Sequence, residues 1–340
     1  MNRRLTFASP QTAASGANLH RLGHYVRRAL AGLLVATAAI APLQAHDSPE
    51  HVVELLTARM KSTGRRPDLL WRRATEYRAL NRWPEAERDL RAALRAKKDF
   101  LPALLDLTRV QLARHNPRAA GKTLQRALAL DQAASSMAGL HMLHAEVLGA
   151  EGNFAEAAAS CDKALASDEA LNPEWYLARC QYQYRQGKFE AAAAGLRQGL
   201  ARTGNAVLEA EWVDAAIDAG QFREVQPTIE RGIAESRCRA SWLIRRGRVQ
   251  EGLGRISGAQ TDYLDALAEL NGRLGTRNAD FTLLVERGLV YALIGDVPLA
   301  RSDLSRAREL GADDWAVSRL ERAALEPKPG QRPTEKRASR

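Results

Sequence analysis

His141 and His144 stand three residues apart with Glu146 close behind, a spacing that on one helix could aim three side chains at a common metal ion. Two imidazoles do not complete such a site, and a helix face with partly buried imidazoles accounts for the same residues. His46, if processing made it the N-terminus, would join a free amine to an imidazole, a copper-chelating pair to which His51 could add. Arbitrary cleavage produces terminal histidines too. Cys161, Cys180 and Cys238 are the three cysteines of a 340-residue chain and form no disulfide framework. No phosphate loop, dinucleotide fingerprint, serine nucleophile elbow or paired-cysteine zinc spacing occurs. The chain reads as non-enzymatic, with no catalytic residue, no metal and no cofactor.

The elements behind these residues repeat. Tyr77, Trp83, Ala86, Leu90, Ala93 and Leu94 form a gapped signature, and 34 positions on the last four become Ala120, Leu124, Ala127 and Leu128. Within one unit, Leu70, Ala74 and Tyr77 share a helical face, Asn81 breaks the pattern, and Pro84 suits the first turn of a second helix because it has no N–H to satisfy. Small residues at Ala74, Ala86 and Ala93 let the two helices approach closely. Later units mark the turn with Gly152, Gly187, Gly220, Gly254 and Gly295, suited to the left-handed backbone of a tight helix exit. The second unit has His115, Asn116 and Pro117 there, which puts its turn geometry in question, and the fifth has Val225 where alanine is usual.

Seven such units span residues 67–100, 101–134, 138–171, 173–205, 206–239, 240–273 and 281–314. The signature resembles that of the tetratricopeptide repeat family. The resemblance implies an all-α fold, a right-handed α-solenoid of about seven helix-turn-helix units with capping helices. It also implies a scaffold that binds other proteins in a concave groove lined by the first helix of each unit. Threading the chain onto that pattern exposes Trp71, Arg78, Arg109, Glu146, Gln181, Tyr184, Asp214, Arg248 and Glu251, a mixture of aromatic, guanidinium and carboxylate groups that suits a protein segment or extended peptide. The lysine and asparagine clamp by which some members hold a chaperone's acidic C-terminus is missing; Trp71 and Thr75, or Leu105 and Arg109, occupy the matching places. A glycan or cell-wall polymer is the alternative occupant, and nucleic acid the disfavoured third. Cys161 falls in the second helix of the third unit and Cys180 in the first of the fourth, so either a bridge or two buried thiols fits.

The ends need caps, because such units cannot bury their apolar faces alone. Ser48-Pro49-Glu50 reads as a helix start within residues 46–66, with Val52, Val53, Leu55, Leu56 and Met60 as its apolar face. Residues 315–326, with Trp315, Val317, Leu320, Ala324 and Leu325 interleaved by Arg319, Glu321 and Arg322, read as a solvating helix closing the array. Residues 327–340 have nothing apolar to bury and are expected to be a disordered basic tail. Residues 1–45 read as a cleavable signal peptide: Arg27 and Arg28, an uncharged stretch from Ala29 to Leu43, then small residues to Ala45. At about 1.5 Å per residue that stretch reaches roughly 22 Å, short of the ~30 Å hydrocarbon core. The expectation is a periplasmic or secreted protein with an envelope or secreted partner and no stable membrane span; an N-terminal anchor is the alternative. The net charge of +10 belongs to the ends: they hold ten of the 50 basic and one of the 40 acidic residues, leaving 40 bases against 39 acids in residues 46–326. Such a balance argues against a phosphate-reading surface, and pairs such as Glu87 with Arg91 read as ordinary solvated ion pairs.

Overall fold

A computed structural model describes residues 48–130, 134–166, 172–276 and 280–325. The expectations for residues 1–45, for His46 and for the tail from 327 lie outside them. The described residues form sixteen α-helices and no strand. The chain divides into a unit ending at Ala96 and a second beginning at Lys97. The first unit holds α1 (Pro49–Thr63), α2 (Pro67–Ala79) and α3 (Trp83–Ala96). The second holds α4 (Leu101–Ala113), α5 (Pro117–Leu130), α6 (Ala134–Ala150), α7 (Phe154–Leu165), α8 (Pro173–Arg185), α9 (Phe189–Thr203), α10 (Ala206–Asp218), α11 (Phe222–Glu235), α12 (Ala240–Gly252), α13 (Ile256–Thr276), α14 (Phe281–Ile294), α15 (Val297–Glu309) and α16 (Asp314–Leu325).

Within each unit consecutive helices pack as antiparallel pairs, and the architecture is an all-α solenoid. Small side chains set the approach of each pair: Ala74, Ala86, Ala93, Ala120, Ala127, Ala157, Ala192, Ala300 and Ala307 have no solvent-accessible surface. Val225 is equally buried, so the α10–α11 pair takes the larger side chain at that place without exposing it. In α1, Ser48 accepts from the His51 N–H and Pro49 occupies the first turn. Val53, Leu56 and Met60 of α1 are buried, whereas Leu55 points outward at 51% exposed.

Every turn inside a pair closes in the same way. The backbone N–H just past the first helix donates to a carbonyl five residues back, from Arg82 to Tyr77 at 2.8 Å, Asn116 to Gln111 at 2.9 Å and Asn153 to Leu148 at 2.8 Å. That bond requires a left-handed residue just before its donor. Gly152 supplies it at φ 83°, but Asn81 and His115 supply it at 57° and 55°. The second unit therefore keeps the turn geometry without the glycine, at the cost of a strained residue.

A second regularity joins the two helices of three pairs. Arg73 forks onto Asp89 at 2.6 and 2.9 Å, Arg287 onto Asp303 at 2.7 and 2.8 Å, and Arg246 onto Asp262 at 2.6 to 3.2 Å. All three aspartates are buried, so each guanidinium fills its acceptor with paired, charge-assisted bonds. In the fourth pair the matching position is Gly195, where a Cβ would stand 2.5 Å from a guanidinium nitrogen of Arg179. Arg179 pairs instead with Asp162 on α7 at 2.8 Å. Glu87, read as part of a solvated pair with Arg91, is buried, although Arg91 itself is exposed and 2.5 Å away.

Candidate functional site: the carboxylate row of α10

Glu211, Asp214 and Asp218 lie three and four residues apart and so share one face of α10. Asp214 is only 4% exposed, not the solvent-facing side chain that threading suggests. From α12, Arg245 donates to Asp214 at 2.7 Å, while Arg248 bridges Asp214 at 2.9 Å and Asp218 at 2.5 Å. The remaining cations come from the far end of the chain. On α16, Arg319 donates to Glu211 at 2.7 Å and lies 3.2 Å from Asp214, and Arg322 reaches Asp218 at 3.4 Å.

Aromatic rings complete the contact. The Tyr184 hydroxyl on α8 donates to Asp218 at 2.9 Å. Its ring meets Trp315 edge-on at 5.3 Å and Phe189 at 5.1 Å. The Arg319 and Arg322 guanidinia stand over the same tyrosine at 6.0 and 5.1 Å, within cation–π range. A cleft of about 250 Å³ follows this seam, lined by Tyr184, Arg185, Trp315, Ser318 and Arg322 among others. A neighbouring one of about 400 Å³ lies between Gln181, Tyr182 and Arg185 of α8, Phe154 of α7, and Trp315.

Burial alone would push the Asp214 carboxyl up, but the Arg245, Arg319 and Arg248 guanidinia hold it well below the usual carboxylate range. Burial likewise opposes charge on Arg319, and Asp214 and Glu211 overcome it and keep it a cation. Burial and the charge on Asp218 push the Tyr184 phenol far up, so it stays a donor. Glu286 on α14 is compensated only in part. Burial raises it to about 7, Arg245 pulls against this, and Asp214 adds to it.

The candidate residues do not gather at one place. Trp71 and Arg78 share a face of α2 in the first unit, both half-buried. In the second unit Arg109 is exposed on α4 and donates to Asp106 at 3.1 Å. Glu146 on α6 is exposed at its rim, yet desolvation pushes its carboxyl up against the pull of Arg109. Gln181 lines the larger cleft. Tyr184, Asp214 and Arg248 are brought together beneath α16, and Glu251 turns to α13, where it accepts from the Tyr263 hydroxyl at 3.0 Å. The sequence reading misses Glu211, Asp218 and Arg245, and it places Trp315, Arg319 and Arg322 on a solvating helix that closes the array without setting them against α8 and α10. The available signal was the matched spacing of two opposite rows, carboxylates at 211, 214 and 218 against an aromatic and two arginines at 315, 319 and 322.

His141 and His144 lie beside Ser160, whose hydroxyl donates to the His141 carbonyl at 2.9 Å and is 3.4 Å from the His144 ring. Burial, then Lys163, pushes both imidazoles downward. Among the described residues no group of three histidines, cysteines or carboxylates could hold a metal ion. Cys161 and Cys180 are both free and buried, so no bridge joins them. Burial pushes both thiols up to about 12. Among the described residues no helix is long and apolar enough to cross a membrane.

No family model and no curated protein matches the chain. Solved structures do. A tetratricopeptide repeat protein from Parabacteroides merdae is 14% identical with a TM-score of 0.55, covering 76% of this chain and 98% of its own. The C-terminal part of a repeat-containing protein of the same kind from Cytophaga hutchinsonii is 13% identical with a TM-score of 0.54, covering 77% and 96%. At such identity the likeness is one of fold.

Proposed function

From a chain with the tetratricopeptide-repeat fold, we propose a non-enzymatic scaffold, exported through residues 1–45, that binds another envelope or secreted protein along the first helices of its pairs. The observation that carries this reading is that those helices already hold a polypeptide helix. α8 and α10 hold α16 through an aromatic and two arginines, the groups that dominate protein interfaces. Beside α16, Gln181 and Arg185 line an open cleft where a partner segment can be received. Export rests on the Arg27-Arg28 pair, the uncharged stretch after it and the small residues to Ala45.

Photo-crosslinking in the native envelope tests the reading. A crosslinker at Arg109 or Gln181 is expected to yield one discrete protein adduct, and one at exposed Glu190 on α9 none. Adducts to wall polymer alone, or equal adducts from all three positions, would overturn it. N-terminal sequencing of the mature protein is expected to begin at His46, and an intact Met1 in the membrane fraction counts against export by cleavage.

A further inference from the structure

Resting on the scaffold reading, we propose that the row Glu211, Asp214 and Asp218 is a receptor for an arginine-bearing amphipathic helix of the partner, and that α16 is its built-in occupant until such a helix displaces it. α16 has two working faces half a turn apart. Val317, Leu320 and Ala324 are buried against α14 and α15, as a closing helix of a solenoid requires. Trp315, Arg319 and Arg322, at i, i+4 and i+7, form the other, and a closing helix would leave that face to water. Here Arg319 and Arg322 cross to residues 104 to 108 positions earlier in the chain, Trp315 meets Tyr184, and the face gives up solvent to do so.

The fit is incomplete in ways that favour exchange. The Nε–H groups of Arg319 and Arg245 are buried without an acceptor, so the network does not satisfy its own donors. The Tyr184–Trp315 seam keeps the 250 Å³ cleft at its edge. Four residues, Leu310 to Asp313, join α15 to α16, with Gly311 at φ 92° among them and free to turn where an L side chain is not. A partner helix with the same three groups would meet the same carboxylates and ring, and the acidic row selects it over an acidic or purely apolar helix.

The test uses the full-length mature chain and a fluorescent peptide of residues 313–325. Wild type is expected to bind the peptide weakly. The variant Trp315→Ala, Arg319→Ala, Arg322→Ala keeps its apolar face but gives up the receptor row, and is expected to bind roughly tenfold tighter. A peptide carrying the same three alanines is expected to bind neither protein. If circular dichroism shows the triple variant unfolded, Arg322→Ala alone, at the half-exposed rim, is expected to give roughly threefold. Equal affinity of wild type and the folded variant, or equal binding of the alanine peptide, overturns the proposal. A positive peptide result without protein adducts at Arg109 and Gln181 would instead sink the scaffold reading and leave the receptor row standing.

Discussion

Arg319 donates to Glu211 at 2.7 Å across 108 residues of sequence, and the same guanidinium lies 3.2 Å from Asp214. The arginine side chain is 19% exposed and Asp214 6%. Replacing Arg319 with alanine strips Glu211 of this partner and leaves Asp214 to Arg245 and Arg248, a loss of charge-assisted bonding that costs about 1.5 to 3 kcal/mol. Denaturant unfolding is expected to show a loss of that order, with Arg319→Lys restoring part of it. An unchanged midpoint would mean that α16 does not hold α10 in solution.

Glu286 makes stability fall as pH rises. Its folded carboxyl titrates at about 7 against an ordinary 4.5, so between these values the native state keeps a proton that the unfolded chain has released. The stability present below 4.5 is lost progressively up to about 7, roughly 3 kcal/mol in all. Asp214, held far below this window, does not titrate within it. His141 and His144, whose imidazoles burial pushes down, act in the opposite direction in the same window, so the test is the difference between variant and wild type. Glu286→Gln is expected to remove its share of the decline, and parallel curves for variant and wild type would contradict this assignment.

The turn residues give opposite signs for reciprocal changes. His115 sits at φ 55°, so His115→Gly relieves a left-handed backbone and is expected to stabilise by about 0.5 kcal/mol after the extra entropy of glycine. Gly152→Ala, at φ 83°, is expected to destabilise by about 1 kcal/mol. Thermal melts of the two variants should move in opposite directions.

The Arg287–Asp303 fork should show strong coupling. Arg287→Leu or Asp303→Leu alone strands a charge and is expected to cost about 3 kcal/mol, while the double substitution costs much less than the sum. Additive losses in the double-mutant cycle would show that the fork contributes nothing as a pair.

Thiol labelling should follow burial. Cys238 is partly exposed, whereas Cys161 and Cys180 are buried with thiols near 12, so Cys238 is expected to react first and the other two only on unfolding. Identical labelling with and without reductant is the expected result; a reductant-dependent gain of two thiols would restore the bridge.

The repeated alanines, leucines and turn glycines made the helix pairing legible because each reports a local demand: close approach of two helices, an apolar stripe, a left-handed exit. Even where His115 replaced glycine, the same exit formed, since the packing around it outweighs the strain of one residue. The Arg–Asp forks were visible in principle as arginine followed by aspartate sixteen residues later, but charge on a helix normally means a solvated face, and only burial distinguishes the two.

The sequence by itself therefore determined the helical repeat, because periodic burial and turn chemistry act within some 34 residues of chain. It left the destination of α16 undetermined. Arg319 and Arg322 read as the solvating side of a closing helix, and nothing near them in sequence sets them or Trp315 against α8 and α10. Their partners Tyr184, Glu211, Asp214 and Asp218 come within reach only once the pairs from α8 to α15 have stacked. Long-range charge pairing depends on where stacking carries the chain, and the tertiary structure alone decided it.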